Sequence, residues 1–422
     1  MNPFKISYTL SGMRKISSES NEDFELFTVE DNGRHTVILR AKKEIALTLF
    51  ETNFPFVPNK NDLYFMNGYQ SWTDTKEFTP KARERDIKKL PRALVKAFAF
   101  DRYGDASFYT YGKHLLHGYD IFYCKGKQEK YILNLNYARA YLLIELNRKT
   151  KSLNLAYDFN GYNVAAGTEF TVCDYYLADS IKTGMEFFNQ VFPRKNTPKI
   201  FGYTSWYNYY QNINEEILMR DLNALDTQFN LFQIDDGYET KVGDWLNVDE
   251  NKFPHGLKPI VDAAHEKGFD AGIWLAPFVA EEKSELFQTR KELFKRDANG
   301  EFVKCGSNWS GFYALDLENP DARSYIKKCL THYAEMGFDF FKLDFLYAAN
   351  LAIDFGTSRS MAAESAYAFL RECLGEKVIL GCGATVFNCI DKFNYLRVGP
   401  DVSLIFDDVR SEERRVGKEC AC

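Results

Sequence analysis

The sequence predicts an α/β protein in which an all-β sandwich precedes an incomplete (β/α)8 barrel of the TIM type. Three observations predict this fold class. Short runs of alternating apolar and polar residues fill the first part of the chain, as in a sandwich. From residue 200 onward, strand-like and helix-like segments alternate, which favours a parallel sheet. Several of these strands run into carboxylates at their C-terminal ends, where a parallel barrel carries its functional groups.

The sandwich is predicted over residues 1–185, where Gly, Asn and Asp turns separate short strands and helical periodicity is scarce. Its clearest strands are the runs 35–40, 131–135, 141–146 and 169–172. The pattern becomes helical over 181–192, and Pro193 and Pro198 then punctuate the chain. We therefore expect a linker over 186–199.

The barrel is predicted over residues 200–409. Its strands are expected at 201–206, 229–234, 270–275, 338–345, 377–381 and 395–398. Its helices are expected at 214–225, 254–267, 321–336 and 360–374. These segments make about six units, so a closed barrel of this class would need two more.

The end of the chain, residues 410–422, differs in character from the rest. The segment 410–420 (RSEERRVGKEC) resembles the translated read-through of a common sequencing adapter. We therefore expect a non-native tail from about residue 410, a native chain that stops near Val409, and a barrel that is truncated at its C-terminus. The alternative is a solvated, charged helical tail.

Composition narrows the classes of partner. A net charge of -6 argues against a nucleic-acid or anionic-membrane surface, so a neutral small molecule fits better. No apolar stretch approaches the roughly 18 residues of a membrane span, and the cytoplasm is the default location. The 9 cysteines lack metal-binding spacing, and neither HExxH nor a phosphate-binding glycine loop occurs, so we expect no metal, cofactor or disulfide framework. The sequence leaves the oligomeric state open.

The segment FKLDF places a charged pair inside an apolar strand. Lys342 and Asp344 are two residues apart, so strand geometry points both side chains to one face. Charges are costly inside a sheet unless they pair or take part in chemistry. The segment is therefore a candidate part of an active site.

Two further strands end in charged residues. The segment FQIDDGY delivers Asp235 and Asp236, and the segment LRVGPD delivers Arg397 and Asp401. Unrelated buried salt bridges or helix N-caps would explain any one of these segments. The three together favour one active site at the C-terminal rim of a barrel.

These segments belong to an ordered set of motifs that covers most of the chain: 67–72 (NGYQSW), 205–207 (SWY), 233–238 (QIDDGY), 272–277 (GIWLAP), 341–345 (FKLDF) and 397–401 (RVGPD). The set resembles the motifs of the glycoside hydrolase family 36 α-galactosidases. That resemblance implies a retaining mechanism with Asp344 as nucleophile and Asp401 as general acid/base. A retaining glycosidase does need one ionised carboxylate and one protonated carboxyl group. We expect the Lys342 cation to keep Asp344 ionised.

The resemblance also implies a set of substrate-binding residues. Carboxylates accept hydrogen bonds from sugar hydroxyls, and cations donate hydrogen bonds to them. Tryptophans offer apolar faces to the sugar, although each Trp alone is more typical of a core. Cys382 is expected in the pocket wall without a chemical role. The complete set is Asp235, Asp236, Lys342, Arg397, Trp206, Tyr207, Trp274, Trp72 and Cys382.

The resemblance thus implies an enzyme that removes terminal α-linked galactose from oligosaccharides of the melibiose and raffinose type. A galactosyl transferase of the raffinose-forming type would share the same covalent intermediate. An inactive sugar-binding fragment is the alternative from a different class. Specificity for N-acetylgalactosamine also stays open.

Overall fold

The computed structural model describes residues 4–84, 89–193, 197–399 and 401, together with the backbone of 420–421. Two antiparallel sheets pack on each other in the N-terminal part, and a curled parallel sheet with helices follows. This confirms the predicted fold class, a β-sandwich followed by an incomplete barrel.

The sandwich contains thirteen strands and two helices within the described ranges. They are β1 (Phe4–Leu10), β2 (Met13–Ser17), β3 (Phe24–Asp31), β4 (Arg34–Ala41), β5 (Ile45–Pro55), β6 (Leu63–Met66), β7 (Lys76–Phe78), α1 (Arg92–Phe98), β8 (Leu115–Tyr119), β9 (Ile121–Lys125), β10 (Lys130–Asn134), β11 (Leu142–Asn147), β12 (Ser152–Val164), β13 (Glu169–Ala178) and α2 (Ile181–Val191). One sheet has the order β2-β1-β5-β12-β11-β8, and the other has the order β3-β4-β13-β10-β9-β6-β7. Alternate residues of both sheets fill one apolar core between them.

The elements that follow belong to the barrel. They are β14 (Gly202–Thr204), α3 (Trp206–Tyr209), α4 (Glu215–Ala224), β15 (Leu231–Ile234), α5 (Lys258–Glu266), β16 (Asp270–Leu275), β17 (Val279–Glu281), α6 (Glu285–Thr289), β18 (Lys304–Gly306), β19 (Phe312–Ala314), α7 (Pro320–Met336), β20 (Phe340–Leu343), α8 (Arg359–Leu374), β21 (Val378–Gly381), α9 (Val386–Cys389), β22 (Tyr395–Leu396) and β23 (Cys420–Ala421). The six predicted strands form one parallel array in the predicted order, β14-β15-β16-β20-β21-β22.

The short strand β23 pairs antiparallel with β22 at the edge of this sheet. It lies inside the segment for which the sequence predicts a non-native tail. The rest of that segment lies outside the described residues.

Local sequence signals set where the main barrel helices begin. The Asn214 side chain accepts a hydrogen bond from the backbone of Ile217 at the start of α4, and Ser358 does the same for Met361 at the start of α8. Helix α7 begins with Pro320, whose missing N–H costs nothing at a first helical position. These caps explain why the predicted helix starts lie within a few residues of the observed ones.

The structure departs from the sequence prediction between β16 and α7. The strands β17, β19 and β18 form a small antiparallel sheet there, because a long segment separates two consecutive units of the barrel. The fourth parallel strand is also shorter than the predicted 338–345. It ends at Leu343 because Phe345 adopts a left-handed backbone conformation with φ of 55°.

The sandwich contacts the rim of the barrel through the segment that follows β6. The backbone N–H of Ser71 donates to the carbonyl of Ala384 at 2.9 Å, and the N–H of Gly399 donates to the carbonyl of Ser71 at 2.5 Å. The next residue, Trp72, is therefore held over the C-terminal ends of the barrel strands.

Within the residues that the structure describes, no helix is both long and apolar enough to cross a lipid bilayer.

Candidate active site

A cavity of about 610 Å³ opens at the C-terminal ends of the parallel strands. Its position agrees with the general location of functional sites in α/β barrels. Its walls are formed by Trp72, Tyr103, Trp206, Tyr210, Gln211, Asn212, Asp235, Asp236, Trp274, Asn308, Trp309, Lys342, Asp344, Phe345, Arg397 and Asp401. All residues that the sequence predicts for the site line this cavity, except Tyr207 and Cys382.

Asp344 lies one residue beyond β20 and is buried, with 7% of its surface exposed. One carboxylate oxygen accepts a hydrogen bond from Trp274 Nε1 at 3.1 Å, and the other accepts from the backbone N–H of Phe345 at 2.9 Å. Burial raises the pKa of Asp344, while the cations of Arg397 and Lys342 and the two hydrogen bonds oppose that rise. The carboxyl group is therefore held in a dry, electropositive setting.

Lys342 forms its direct ion pair with Asp235 and not with Asp344. Its Nζ lies 2.8 Å from Asp235 Oδ2, and both side chains are buried. Burial alone would lower the pKa of Lys342, but Asp235, with Cys382 and Asp344 nearby, more than offsets this and raises it. The Lys342 cation favours the ionised form of Asp344, as expected, but Arg397 opposes the effect of burial more strongly at that carboxyl group.

Asp235 is fixed by neighbours from three elements. Gln233 Nε2 donates to Asp235 Oδ2 at 2.6 Å, and Thr204 Oγ1 at the end of β14 donates at 3.3 Å. The backbone N–H of Asp235 in turn donates to Ser205 Oγ at 2.9 Å. The carboxylate is therefore rigidly oriented at the floor of the cavity.

Asp401 faces the cavity from a more open position, with 47% of its side chain exposed. Trp206 Nε1 donates to one of its oxygens at 3.1 Å, and the Arg397 guanidinium pairs with the other. Arg397 itself is mostly buried, and its Nε has no hydrogen-bond partner among the described residues. The two predicted catalytic carboxyl groups thus share Arg397 as a neighbour but differ strongly in solvation.

Asp236 is held by two residues that the sequence analysis missed. Gln211 Nε2 lies 3.0 Å from each of its oxygens, and Trp309 Nε1 donates to Oδ2 at 2.9 Å. Trp309 lies between β18 and β19, where its backbone adopts a left-handed conformation with φ of 53°. Neither residue belongs to a motif at a strand end, so the sequence carried no signal for them.

The sandwich contributes one wall of the cavity. The ring of Trp72 packs edge-on against Phe345 at 5.1 Å between ring centroids, as the sequence led us to expect of a tryptophan that reaches in from the first domain. Tyr103 was missed, and its hydroxyl donates to Asn308 Oδ1 at 2.8 Å. Gly383 has φ of +64°, and an added Cβ would lie 3.2 Å from the Trp72 ring, so a side chain there would crowd this wall.

Two predicted residues lie outside the cavity walls. The backbone N–H of Cys382 donates to the carbonyl of Leu343 just beyond β21. The buried side chain of Cys382 packs among apolar residues such as Phe340 and Leu380. It is therefore not part of the pocket wall, although it lies close to Lys342 and Arg397. Tyr207 is half-buried beside Asp401, and burial, reinforced by that carboxylate, raises its pKa.

Across the described ranges, no three His, Cys, Asp or Glu side chains gather in a way that could hold a metal ion.

Residues 197–370 match the model of the glycosyl hydrolases family 31 TIM-barrel domain. An α-galactosidase of Escherichia coli is 30% identical over 149 residues, which is 33% of this chain and 20% of that protein. An A type blood α-D-galactosamine galactosaminidase of Flavonifractor plautii is 32% identical over 127 residues, which is 27% of this chain and 11% of that protein. The matched stretches therefore span a fifth or less of these curated relatives.

Solved structures match over more of the chain. An α-galactosidase of Thermus thermophilus in complex with stachyose superposes with a TM-score of 0.69 at 27% identity, covering 92% of this chain and 81% of that chain. A family 36 α-galactosidase of Geobacillus stearothermophilus has a TM-score of 0.60 at 12% identity, covering 93% and 64%, and supports the fold alone. The chain is therefore similar to α-galactosidases and glycosyl hydrolases, in sequence over part of its length and in fold over most of it.

Proposed function

We propose that the protein is a retaining α-galactosidase of family 36 type, which removes terminal α-linked galactose from oligosaccharides of the melibiose and raffinose type. The observation that carries the proposal is the unequal pair of carboxyl groups in one cavity. Asp344 is buried near Trp274 and the cations of Arg397 and Lys342, whereas the side chain of Asp401 is about half exposed. Different environments let one carboxyl group act as nucleophile and the other exchange protons with solvent.

In this mechanism the Asp344 carboxylate attacks the anomeric carbon while Asp401 gives its proton to the departing glycosidic oxygen. A covalent β-galactosyl ester forms on Asp344 and the aglycone leaves as an alcohol. Asp401, now ionised, then takes a proton from a water molecule that attacks the same carbon. The ester bond to Asp344 breaks, and galactose departs with its α configuration retained.

The remaining residues of the cavity support binding of a neutral sugar. Asp235 and Asp236 offer oriented acceptors to sugar hydroxyls, because their oxygens are fixed by protein donors. Arg397 has an Nε donor that no described residue engages, and Lys342 contributes a buried cation. The indole rings of Trp72, Trp206 and Trp274 line the same space and offer apolar faces to the sugar.

Azide rescue tests the two catalytic roles. Asp344→Ala should abolish turnover of an aryl α-galactoside, and azide should restore it with β-galactosyl azide as product, since azide enters from the vacated face. Asp401→Ala should retain more activity on substrates with good leaving groups and give the α-azide. Asp31→Ala, an exposed substitution in β3, serves as the control and should behave as the wild type.

Identical behaviour of the Asp344 and Asp401 variants would contradict the assignment. The same assignment requires the two carboxyl groups to face each other at about 5–5.5 Å in a galactoside complex. A separation near 9 Å in such a crystal structure would instead indicate an inverting enzyme.

Product analysis separates the alternatives that the sequence leaves open. Transfer of galactose to an added acceptor sugar in preference to water would establish a transferase, and preference for N-acetylgalactosamine would change the substrate. Binding of galactose without turnover would establish a sugar-binding protein.

We also propose a small carbohydrate as the partner and a cytoplasmic location, which cell fractionation tests. We further propose a division into a sandwich over 1–185 and a barrel over 200–409, which limited proteolysis tests.

A further inference from the structure

The carboxyl group of Glu239 makes a hydrogen-bonded contact with that of Asp236 at the edge of the candidate active site. Glu239 is buried, with 6% of its surface exposed, and its Oε2 accepts a hydrogen bond from the backbone N–H of Gly237 at 3.2 Å. Among the described residues, no Lys, Arg or His forms an ion pair with either carboxyl group. The contact between the two acids is therefore not explained by a shared cation.

The backbone brings Glu239 to this place by a tight turn after β15. Gly237 has φ of +116°, and a Cβ at this residue would lie 2.7 Å from the backbone of Gln211. Glu239 then forms an isolated β-bridge with Val248. The turn therefore folds Glu239 back against the preceding Asp236, in a geometry that only glycine at residue 237 permits.

Two adjacent buried carboxyl groups cannot both carry a charge without a large electrostatic cost. The hydrogen bonds from Gln211 and Trp309 favour the ionised form of Asp236. Burial raises the pKa of Glu239 well above its usual range, and the neighbouring Asp236 carboxylate raises it further. These contacts favour the proton of the pair on Glu239, from which it can be donated in a hydrogen bond to Asp236.

We propose that Glu239, as a neutral acid, is a positioning residue that orients the Asp236 carboxylate to accept hydrogen bonds from sugar hydroxyls. This inference rests on the proposed function, because it assigns a role to the same sugar site. Glu239 acts through Asp236 and does not itself line the main cavity.

A second cavity of about 370 Å³ lies on the other side of this pair and gives Glu239 a route to solvent. Gln211 and Trp309 line both cavities and separate them. Proton exchange at Glu239 therefore does not require an empty sugar site. The titratable and charged groups around Glu239 are Asp235, Asp236, Tyr238, Tyr333, Lys241, Asp249, Lys252, Glu281 and Lys283.

Lys252, one of these groups, donates from its Nζ to the backbone carbonyls of Gln211 and Gly237, each at 2.9 Å. It therefore stabilises the turn, and no cation of the described chain pairs with either acid. When Glu239 loses its proton as the pH rises, two facing carboxylates repel each other and Asp236 loses its donor. Sugar affinity should therefore weaken as the pH rises, through a group that takes no part in bond cleavage.

The test compares Glu239→Gln, which keeps a neutral donor, with Glu239→Leu, which removes it. The readouts are the affinity for galactose by calorimetry across pH, KM and kcat for an aryl α-galactoside, and the infrared carbonyl band of protonated carboxyl groups. Glu239→Gln should bind galactose within about twofold of the wild type at the pH where the wild type binds best, and it should abolish the loss of affinity at rising pH. Glu239→Leu should weaken binding by about tenfold, as expected for loss of a hydrogen bond to a charged group.

Glu281→Gln is the matched control, because Glu281 is also buried beside the second cavity but bonds Ser310 instead of Asp236. It should keep the loss of affinity at rising pH. The wild type should show a protonated-carboxyl band at pH values above the ordinary glutamate pKa, and this band should disappear in Glu239→Gln.

Absence of that band, or an unchanged loss of affinity at rising pH in Glu239→Gln, would overturn the proposal, whether or not Glu239→Leu folds. If the wild type turned over no α-galactoside, that result would contradict the proposed function instead. The galactose titration and the infrared band would then still decide the role of Glu239.

Discussion

At Asp344, two opposing influences set the charge of one carboxyl group. Burial favours the neutral acid, whereas Arg397, Lys342 and the indole N–H of Trp274 favour the carboxylate. Burial prevails, so the pKa of Asp344 lies above its usual range. Because the proposed role of Asp344 as nucleophile requires the ionised form, the acid limb of kcat/KM should lie above the ordinary aspartate pKa of about 4.

Trp274→Phe tests this balance by removing the N–H that donates to Asp344 while keeping an aromatic ring. The loss of a hydrogen bond to a charged group should lower kcat by about 10- to 100-fold. It should also raise the pKa of Asp344 further and move the acid limb of the pH profile upward. The measurement is kcat/KM for an aryl α-galactoside across acidic pH.

Trp245→Phe provides a matched control for this substitution. Trp245 packs edge-on against Trp274 at 5.7 Å between ring centroids, and its buried Nε1 has no hydrogen-bond partner among the described residues. The control should leave the acid limb in place. An equal shift in both variants would show that packing, and not the N–H, controls Asp344.

At the scale of elements, the segment between β7 and β8 brings Tyr103 to the cavity and is anchored by His117. His117 Nε2 lies 2.6 Å from Asp105 and Nδ1 lies 2.7 Å from Glu84, and the ring of Tyr109 stacks on the imidazole at 3.7 Å. Both ring nitrogens therefore face carboxylates, which a doubly protonated imidazolium satisfies. The charged His117 thus joins both ends of this segment to β8.

The charge on His117 predicts how stability depends on pH. Burial would lower the pKa of His117, but Asp105 and Glu84 raise it to about 9. A raised folded-state pKa means that the stabilisation is complete below the unfolded value of about 6.5 and is lost as the pH rises through about 9. The contribution is at most about 3 kcal/mol.

Unfolding measured between pH 6 and 10 checks this prediction. The melting temperature of the wild type should fall over that window, whereas His117→Gln should start lower and change little. His114→Gln, at an exposed position three residues earlier, should follow the wild type. A parallel decline in His117→Gln would show that other groups cause the pH dependence.

The parallel strands of the barrel could be predicted from the sequence, whereas the small antiparallel sheet could not. The six parallel strands and their charged C-terminal residues were predictable, because strands of one parallel sheet end at one rim whatever the intervening loops do. The sheet of β17, β18 and β19 was not, since strands of three residues are too short to show a period. Trp309, Gln211 and Tyr103 were missed for a related reason, because long-range packing of irregular segments places them.

At the scale of the whole molecule, the site is shared between the sandwich and the barrel. The barrel supplies the charged groups, and the sandwich supplies Trp72 and Tyr103. The Arg397 guanidinium lies 5.8 Å from the Trp72 ring, so the two parts meet beside the residue that contacts Asp401. The sandwich should therefore affect sugar binding directly and not merely the stability of the barrel.

Trp72→Ala tests this coupling. Loss of the aromatic wall should raise KM for an aryl α-galactoside by about 3- to 10-fold, as expected for one aromatic contact, with a smaller change in kcat. Trp72→Phe should recover most of the affinity, because a smaller ring can still pack near Phe345. Phe65→Ala, which removes a ring stacked on Tyr123 elsewhere in the sandwich, should lower the melting temperature but leave KM unchanged. If Trp72→Ala also changed only the melting temperature, the barrel alone would form the sugar site and the sandwich would serve as a support.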